Sequence, residues 1–495
     1  MTKRVLQQSQ SLCPVCLRVL DAEYVDEGDM VFLCKTCPQH GKFRTPAWRQ
    51  VAGVADFLAW QRARLPAYPA QPATNKQQGC PYDCGLCPDH TQHTCTGLIE
   101  ITQRCNLHCP VCYAAAGQDH APADPSLAVL EQQMRALFTA SGACNVQLSG
   151  GEPTMRDDVP AIIALAKAQG LGLVQVNSNG LRLGTEQGYA ASLKAAGLDS
   201  VYLQWDGTEE RIFERMRGRA CLGVKHAALQ ACREAGLGVV LVATVARGIN
   251  DHNVGALLRF AVAQGAVVRG LHLQPVASFG RFPWALPAAP RLTLPELMLA
   301  LEQQSAGMVQ AAHFHAPSCE HSLCSFSAVY ARDAQKGLGM PVGAACCATG
   351  SGQAMVLDNA SGARRSKAFI AAHWGSPAAS AAMPAGAKPC NAGQGRPLEQ
   401  RVQGAQAPLP HKCPPATGLA APMQDDLSRF VEQAGADRRF TVSAMAFQDA
   451  LSLDLARLRG CCIHVVTAEG KLIPFCAYNV TSQAGTALYR GKGAV

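Results

Sequence analysis

The sequence predicts an α/β fold: a partial (β/α)6 TIM-type barrel, preceded by small metal-binding modules and followed by a C-terminal α+β extension. Three observations lead there. Between residues 98 and 275, six short apolar runs alternate with helical periodicity, one unit about every thirty residues, the pattern of parallel strands with crossover helices. The strand runs are continuously apolar rather than alternating, as burial on both faces requires. Finally, 23 cysteines fall largely into short-spaced groups, in a chain of 495 residues whose first segment lacks the apolar stretch of an export signal. In a reducing compartment such groups read as metal or cluster ligands rather than disulfides. The cytoplasm is the expected location.

The elements follow in order. Residues 1–54 hold CPVC (Cys13, Cys16) and CKTC (Cys34, Cys37) with seventeen residues between, a zinc-ribbon or rubredoxin-like module. The four thiolates form one all-cysteine tetrahedral site for Zn or Fe, which spacing does not distinguish. The segment between the pairs reads as a hairpin turning at Asp-Glu-Gly-Asp. Residues 55–97 form a linker rich in Pro, Ala and Gln, followed by CPYDCGLC (Cys80, Cys84, Cys87) and then Cys95. The barrel occupies 98–290. Its strands are LIEIT, NVQLS, LGLVQVNSNG, SVYLQWDG, LGVVLVATVARG and VVRGLHLQP, and Asp124 or Ser126 caps its first helix. Cys144, Cys221 and Cys232 lie in apolar or helical patterns and read as core residues. A helix is expected near 293–312 within a region, 291–359, whose Cys319, Cys324 and Cys346 (or Cys347) are candidate ligands of a further cluster, with Cys461, Cys462 or Cys476 as candidates to join them. Residues 360–422 read as an Ala/Gly/Pro-rich connector in which Cys390 and Cys413 are free. Residues 423–495 read as helices at 424–435 and 444–457 and a hairpin over 461–479.

Composition excludes some classes. The net charge of +8 is spread along the chain without basic clusters, which argues against nucleic-acid binding. No apolar run is long enough to span a bilayer.

Two strings share the spacing C-x3-C-x2-C, and position separates them. Cys105, Cys109 and Cys112 follow the first barrel strand, at the strand carboxyl ends where such barrels place their chemistry. Cys80, Cys84 and Cys87 precede the barrel, and Cys95 is available as their fourth ligand. The upstream group therefore reads as a closed cluster and the downstream group as an open one.

CNLHCPVCYA after a strand, with LSGGEPTMRDD at the end of the next, resembles the radical S-adenosylmethionine (SAM) superfamily. The resemblance implies that Cys105, Cys109 and Cys112 hold a [4Fe-4S] cluster whose open iron chelates SAM. One-electron reduction then cleaves SAM to a 5′-deoxyadenosyl radical. Gly150, Gly151, Glu152 and Pro153 match the motif that receives the SAM amino group. Polar residues at later strand tips are implied SAM contacts: Asn177, Ser178 and Asn179, then Gln204 and Asp206, then Thr244, with Gln274 near adenine. Asp206 stands out as the acid at a strand tip besides the GGEP glutamate, and His272 reads as a packed histidine. Val111 stands where the family often has an aromatic residue.

The flanking cysteines resemble the group of pterin methylases and tetraether lipid synthases. That likeness implies one or two auxiliary [4Fe-4S] clusters, an electron donor such as ferredoxin or flavodoxin, and C–C bond formation on a small molecule. Pterin methylation is expected first, with a reduced folate methylene as the implied carbon source and without cobalamin, since no βα units are left ahead of the barrel to bind a corrinoid. The alternatives are lipid chain coupling, with peripheral membrane contact, and peptide modification, against which the lack of a leader-recognition domain weighs.

Overall fold

The computed structural model describes residues 3–61, 73–117, 121–317, 319–333, 335, 337–341 and 439–491. Cys346, Cys347, Cys390, Cys413, the connector and the expected helix at 424–435 lie outside the described residues.

The N-terminal strands β1 (Arg4–Leu12), β2 (Val19–Asp26), β3 (Met30–Cys37) and β4 (Gly41–Arg49) form an antiparallel meander, with the expected hairpin between β2 and β3. One face buries Tyr24, Val31, Leu33 and Trp48 against α1 (Phe57–Gln61), whose Phe57 lies 4.9 Å from the Tyr24 ring. This sheet is joined to the C-terminal segment by polar bonds. Tyr24 donates to Asp454 Oδ2 at 2.7 Å, and the buried Lys35 ammonium donates to the carbonyls of Ala450 and Leu451 at 2.9 Å each.

The barrel strands are β5 (Thr96–Thr102), β6 (Asn145–Gly150), β7 (Leu173–Ser178), β8 (Ser200–Gln204), β9 (Gly238–Val245) and β10 (Val268–Pro275). They pair in sequence order and in parallel. The crossover helices include α2 (Leu127–Ser141), α3 (Val159–Ala168), α4 (Leu181–Thr185), α5 (Tyr189–Ala195), α6 (Glu210–Arg217), α7 (Leu222–Glu234) and α8 (Val254–Ala263). Ser126 caps α2 by accepting from Val129 N. In β9 every residue but Thr244 is buried, and each such Val or Leu contributes about 1.5–3 kcal/mol of apolar transfer. Cys144, Cys221 and Cys232 are buried in this core. His272 is buried too, its Nδ1 2.9 Å from Ser443 Oγ.

Beyond residue 290, α9 (Leu294–Gln304) opens with a Thr293/Glu296 capping box. Strands β11 (Ser325–Asp333), β12 (Gly337–Pro341) and β13 (Arg439–Met445) follow, and β13 lies parallel to β10. The helix expected over 444–457 is not formed. Residues 439–445 extend as a strand, Asp449 then accepts from the backbone of Leu451 and Ser452 to make a turn, and only α10 (Leu455–Arg459) is helical. The vacant edge of β10 and the Asp side chain outweigh local helical periodicity. The hairpin β14 (Ile463–Val466) and β15 (Leu472–Pro474) forms as expected, but its last residues turn into α11 (Phe475–Asn479). β14 lies parallel to β5. Among the described residues the large sheet thus runs β12-β11-β13-β10-β9-β8-β7-β6-β5-β14-β15, with the C-terminal segment adding a parallel strand at each flank of the six. None of the described helices is long and apolar enough to cross a membrane.

Candidate active site and metal centres

The loop after β5 carries Cys105, Cys109 and Cys112, all half-buried, unlike the fully buried core cysteines. Its backbone is gripped from two sides. Arg281, in the segment after β10, exchanges two backbone hydrogen bonds with Cys112 at 2.9 Å and donates from Nε to the Cys109 carbonyl at 2.7 Å. Arg217, ending α6, donates to the Val111 carbonyl at 3.1 Å. Burial, with lesser help from Glu152, pushes the Cys105 thiol up to about 12. Burial also raises Cys109, opposed by the Arg217 guanidinium. These sulfurs therefore need a cationic partner to ionise near neutral pH.

The Gly-Gly-Glu-Pro tip of β6 packs on that same loop. Gly150 has φ +129°, and a Cβ there would sit 2.0 Å from the Thr102 carbonyl oxygen; one on Gly151 would sit 2.2 Å from that of Arg104. Gly151 N donates to Thr102 O and Glu152 N to Arg104 O, both at 2.8 Å. The first backbone these glycines let in is thus the loop itself. The buried Glu152 carboxylate accepts from Thr154 N and Oγ1, from Ser178 Oγ at 2.8 Å and from Asn179 N at 2.6 Å, tying the β6 and β7 tips together. Burial raises its pKa and these bonds oppose the rise. Pro153 starts a single turn of 3-10 helix.

The other strand tips face largely inward, onto protein partners. Asn179 Nδ2 donates to Asn106 at 2.7 Å, bridging β7 to the cysteine loop. Asn177 Nδ2 reaches Gln147 and Ser149, while its buried Oδ1 finds no partner among the described groups. Asp206 is not a free acid. Its fully buried carboxylate accepts two bonds from Arg217, at 2.6 and 2.7 Å, and one from Thr244 N. Thr244 Oγ1 also accepts from Arg217, at 3.3 Å. Gln204 lies between Asp206 and the buried Lys225, which donates to its Oε1 at 2.8 Å. Gln274 hydrogen-bonds Tyr202. Arg217, Lys225, Asn106 and Arg281 escape a reading of the sequence, because Arg217 and Lys225 look like any solvated charge on an amphipathic helix and Asn106 and Arg281 lie in irregular segments.

The N-terminal donor set differs from the expected four cysteines. The structure assembles Cys13, Cys16, Cys37 and His40, with His40 Nδ1 3.3 Å from Cys37 Sγ and 3.5 Å from Cys13 Sγ. Cys34 stands opposite Glu23 and Arg44 in mid-strand. Strand side chains alternate, so the three-residue step from Cys34 to Cys37 reverses the face. The sequence carries the signal in the paired knuckles CPVC and CPQH.

Cys80, Cys84 and Cys87 lie outside the barrel. Cys80 and Cys84 hydrogen-bond each other, which with burial drives the Cys84 thiol well up. Tyr489 accepts from Cys84 N at 3.0 Å and donates to Pro81 O at 2.7 Å. Cys95, expected as their fourth ligand, is instead gathered with Cys319 and Cys462, its Sγ 2.6 Å from that of Cys319. It directly precedes the body of β5, and its N–H donates to the Cys462 carbonyl at the start of β14, so strand pairing turns it toward the C-terminal segment. Cys324 contacts Arg457 instead, at 3.4 Å.

Two family models match this chain: the radical SAM superfamily over residues 99–261 and the HMPTM N-terminal zinc ribbon domain over 5–49. The 7,8-dihydro-6-hydroxymethylpterin dimethyltransferase of Methanocaldococcus jannaschii is 30% identical over 96% of this chain and 93% of its own length. The chain belongs to the radical SAM superfamily. A GTP 3′,8-cyclase from Mycobacterium sp. (strain KMS) is 33% identical, but over only 36% of this chain and 51% of its own. Among solved structures, Streptococcus suis SuiB bound to precursor peptide SuiA aligns with 44% of this chain and 46% of its own at 12% identity and a TM-score of 0.35.

The residues fit the cluster that a radical SAM enzyme carries. Three half-buried thiols share one loop, glycine backbone packs beside them, and Arg217 offers positive charge toward Cys109. Three thiolates leave one iron of a [4Fe-4S] cluster without a protein ligand. The N-terminal set of three cysteines and one histidine likewise suits a tetrahedral metal ion, in keeping with the zinc ribbon match.

Proposed function

We propose that this radical SAM enzyme methylates a pterin-like small molecule at carbon, without cobalamin. The observation that supports the reading most is the 30% identity to a pterin dimethyltransferase along 96% of the chain. In this reading Cys105, Cys109 and Cys112 hold the [4Fe-4S] cluster, which when reduced by a ferredoxin- or flavodoxin-like donor supplies the electron that cleaves SAM to a 5′-deoxyadenosyl radical. Gly150 to Pro153 present backbone to the SAM amino group. The Glu152 carboxylate, engaged by Thr154, Ser178 and Asn179, fixes the β6 and β7 tips against each other. Arg217, held by Asp206, and Arg281 keep the cysteine loop in place. Asn177, with its unpartnered Oδ1, is positioned to meet a ligand donor. Cys80, Cys84 and Cys87 hold an auxiliary cluster at the edge of the fold.

The test is anaerobic reconstitution with iron and sulfide, then incubation with SAM, a strong reductant, a reduced folate carrying a methylene group as carbon donor, and 7,8-dihydro-6-hydroxymethylpterin. Formation of 5′-deoxyadenosine and of a methylated pterin, equally with and without added cobalamin, is the expected result. 5′-Deoxyadenosine without any change in the pterin, under all carbon donors tried, would reject the substrate while keeping the chemistry.

A further inference from the structure

We propose that a row of carboxamides inside the barrel, Gln147 and Asn177 backed by Gln175, reads the lactam edge of the substrate: the ring N–H and adjacent C=O of a pterin. The inference rests on the pterin reading above and adds which residues recognise the ring. On β6 and β7, Val146, Leu148, Val174 and Val176 are fully buried in the core shared with Ile162 and Ile163 of α3. Strand side chains alternate, so Gln147, Gln175 and Asn177 face the interior of the barrel. Gln147 and Asn177 are partly exposed, and with the outer face sealed by helices that exposure opens into the lumen. Gln175 and Ser200, at the far end of the row, are closed off from water.

The hydrogen bonds along the row run one way. Asn177 Nδ2 donates to Gln147 Oε1 at 3.3 Å and to Ser149 Oγ at 3.4 Å. Gln147 Nε2 donates to Gln175 Oε1 at 2.9 Å, and Gln175 Nε2 donates to Ser200 Oγ at 2.8 Å. That polarity fixes what each amide has left to offer. Asn177 has spent its donors and keeps Oδ1, which is buried without a partner among the described groups. A small turn about its soft χ2 brings that oxygen to a ligand. Gln147 keeps its second N–H. The complementary ligand therefore presents an N–H beside a C=O, which is the edge of a cyclic amide. Next to the row, Tyr202 packs with Val240 and Val242 of β9, and its ring lies 5.6 Å from that of His272. This surface suits the face of a flat ring whose edge meets the amides. Gln147 sits deeper along β6 than the Gly150 tip assigned to SAM, so both ligands have room in one lumen.

The test reads binding rather than turnover. Full-length protein, reconstituted anaerobically and kept without reductant, is titrated by calorimetry with SAM, and then with 7,8-dihydro-6-hydroxymethylpterin in the presence of SAM. Q147L and N177L should each raise the pterin dissociation constant about tenfold or more. Q147L should change the SAM constant far less. Q175L, a positioning residue that acts through Gln147, should give a smaller rise. A second arm uses wild-type protein alone and so does not depend on a variant folding. The same pterin methylated on its ring N–H should bind wild type about as weakly as the parent compound binds N177L, and N177L should scarcely distinguish the two. Wild type binding both compounds equally, or Q147L and N177L binding the parent as wild type does, would overturn the recognition and leave the pterin reading standing. An equal loss of SAM and pterin affinity in Q147L would also overturn it, by giving the amides to SAM. Wild-type protein that binds SAM but no pterin would remove the pterin reading, and this recognition with it.

Discussion

The two C-x3-C-x2-C strings have the same donors at the same spacing and quite different surroundings. The string at 105–112 is built into the rim of the sheet, held by Arg281 after β10, Arg217 from α6, and the glycines at the end of β6. The string at 80–87 is held from the periphery: Tyr82 donates to Leu17 O in the N-terminal module at 2.8 Å, and Tyr489 near the end of the chain bonds both Cys84 N and Pro81 O. Spacing decides how many sulfurs reach a cluster. The elements behind the loop decide what else can reach it, and among the described residues only the rim string has strand tips converging on it.

The sharpest way to break this comparison is to remove one sulfur from each string. C109A should abolish reductive SAM cleavage, measured as 5′-deoxyadenosine, while C84A should retain it; the reverse outcome would exchange the two roles. D206A comes next, because it leaves Arg217 buried and unpaired. Loss of one member of a buried pair costs about 3–5 kcal/mol, which should appear as a lower denaturant midpoint together with weakened cleavage. G151A forces a Cβ against the Arg104 carbonyl and must shift the cysteine loop. A misplacement near 1 Å can cost about 10²-fold in rate, so cleavage should fall by that order while metal content remains. The smallest effect should come from Y489F, which gives up neutral hydrogen bonds worth about 1 kcal/mol each. It should alter the signal of the 80–87 cluster and leave SAM cleavage near wild type.

The strands from β5 to β10 were legible because continuous apolar runs record two-sided burial, and the GGEP tip because its glycines are demanded by backbone contact. Where the reading departs from the structure, long-range pairing is responsible. Cys95 lies close in sequence to Cys87 but follows β5 into register with β14, a partnership that local spacing cannot express. Cys34 fits a C-x2-C knuckle on paper, yet it belongs to an extended strand whose period of two points it away from Cys37. H40A should therefore release the ribbon metal readily while C34S keeps it, as metal analysis would show. Asp206 was legible as a notable acid, whereas Arg217 on a separate helix, which consumes it, was not.

The parallel strands added at both flanks of the six-stranded core have a consequence for biogenesis. Thr96 pairs with Ile463, and Gly270 with Thr441, so each exposed margin of the nascent barrel waits for segments made much later. Until they emerge from the ribosome, β5 and β10 present unpaired backbone that invites association between chains. Such distant pairings also close slowly. Recombinant yield should thus depend on chaperone supply and growth temperature, and cutting the chain before residue 439 should send the barrel into inclusion bodies.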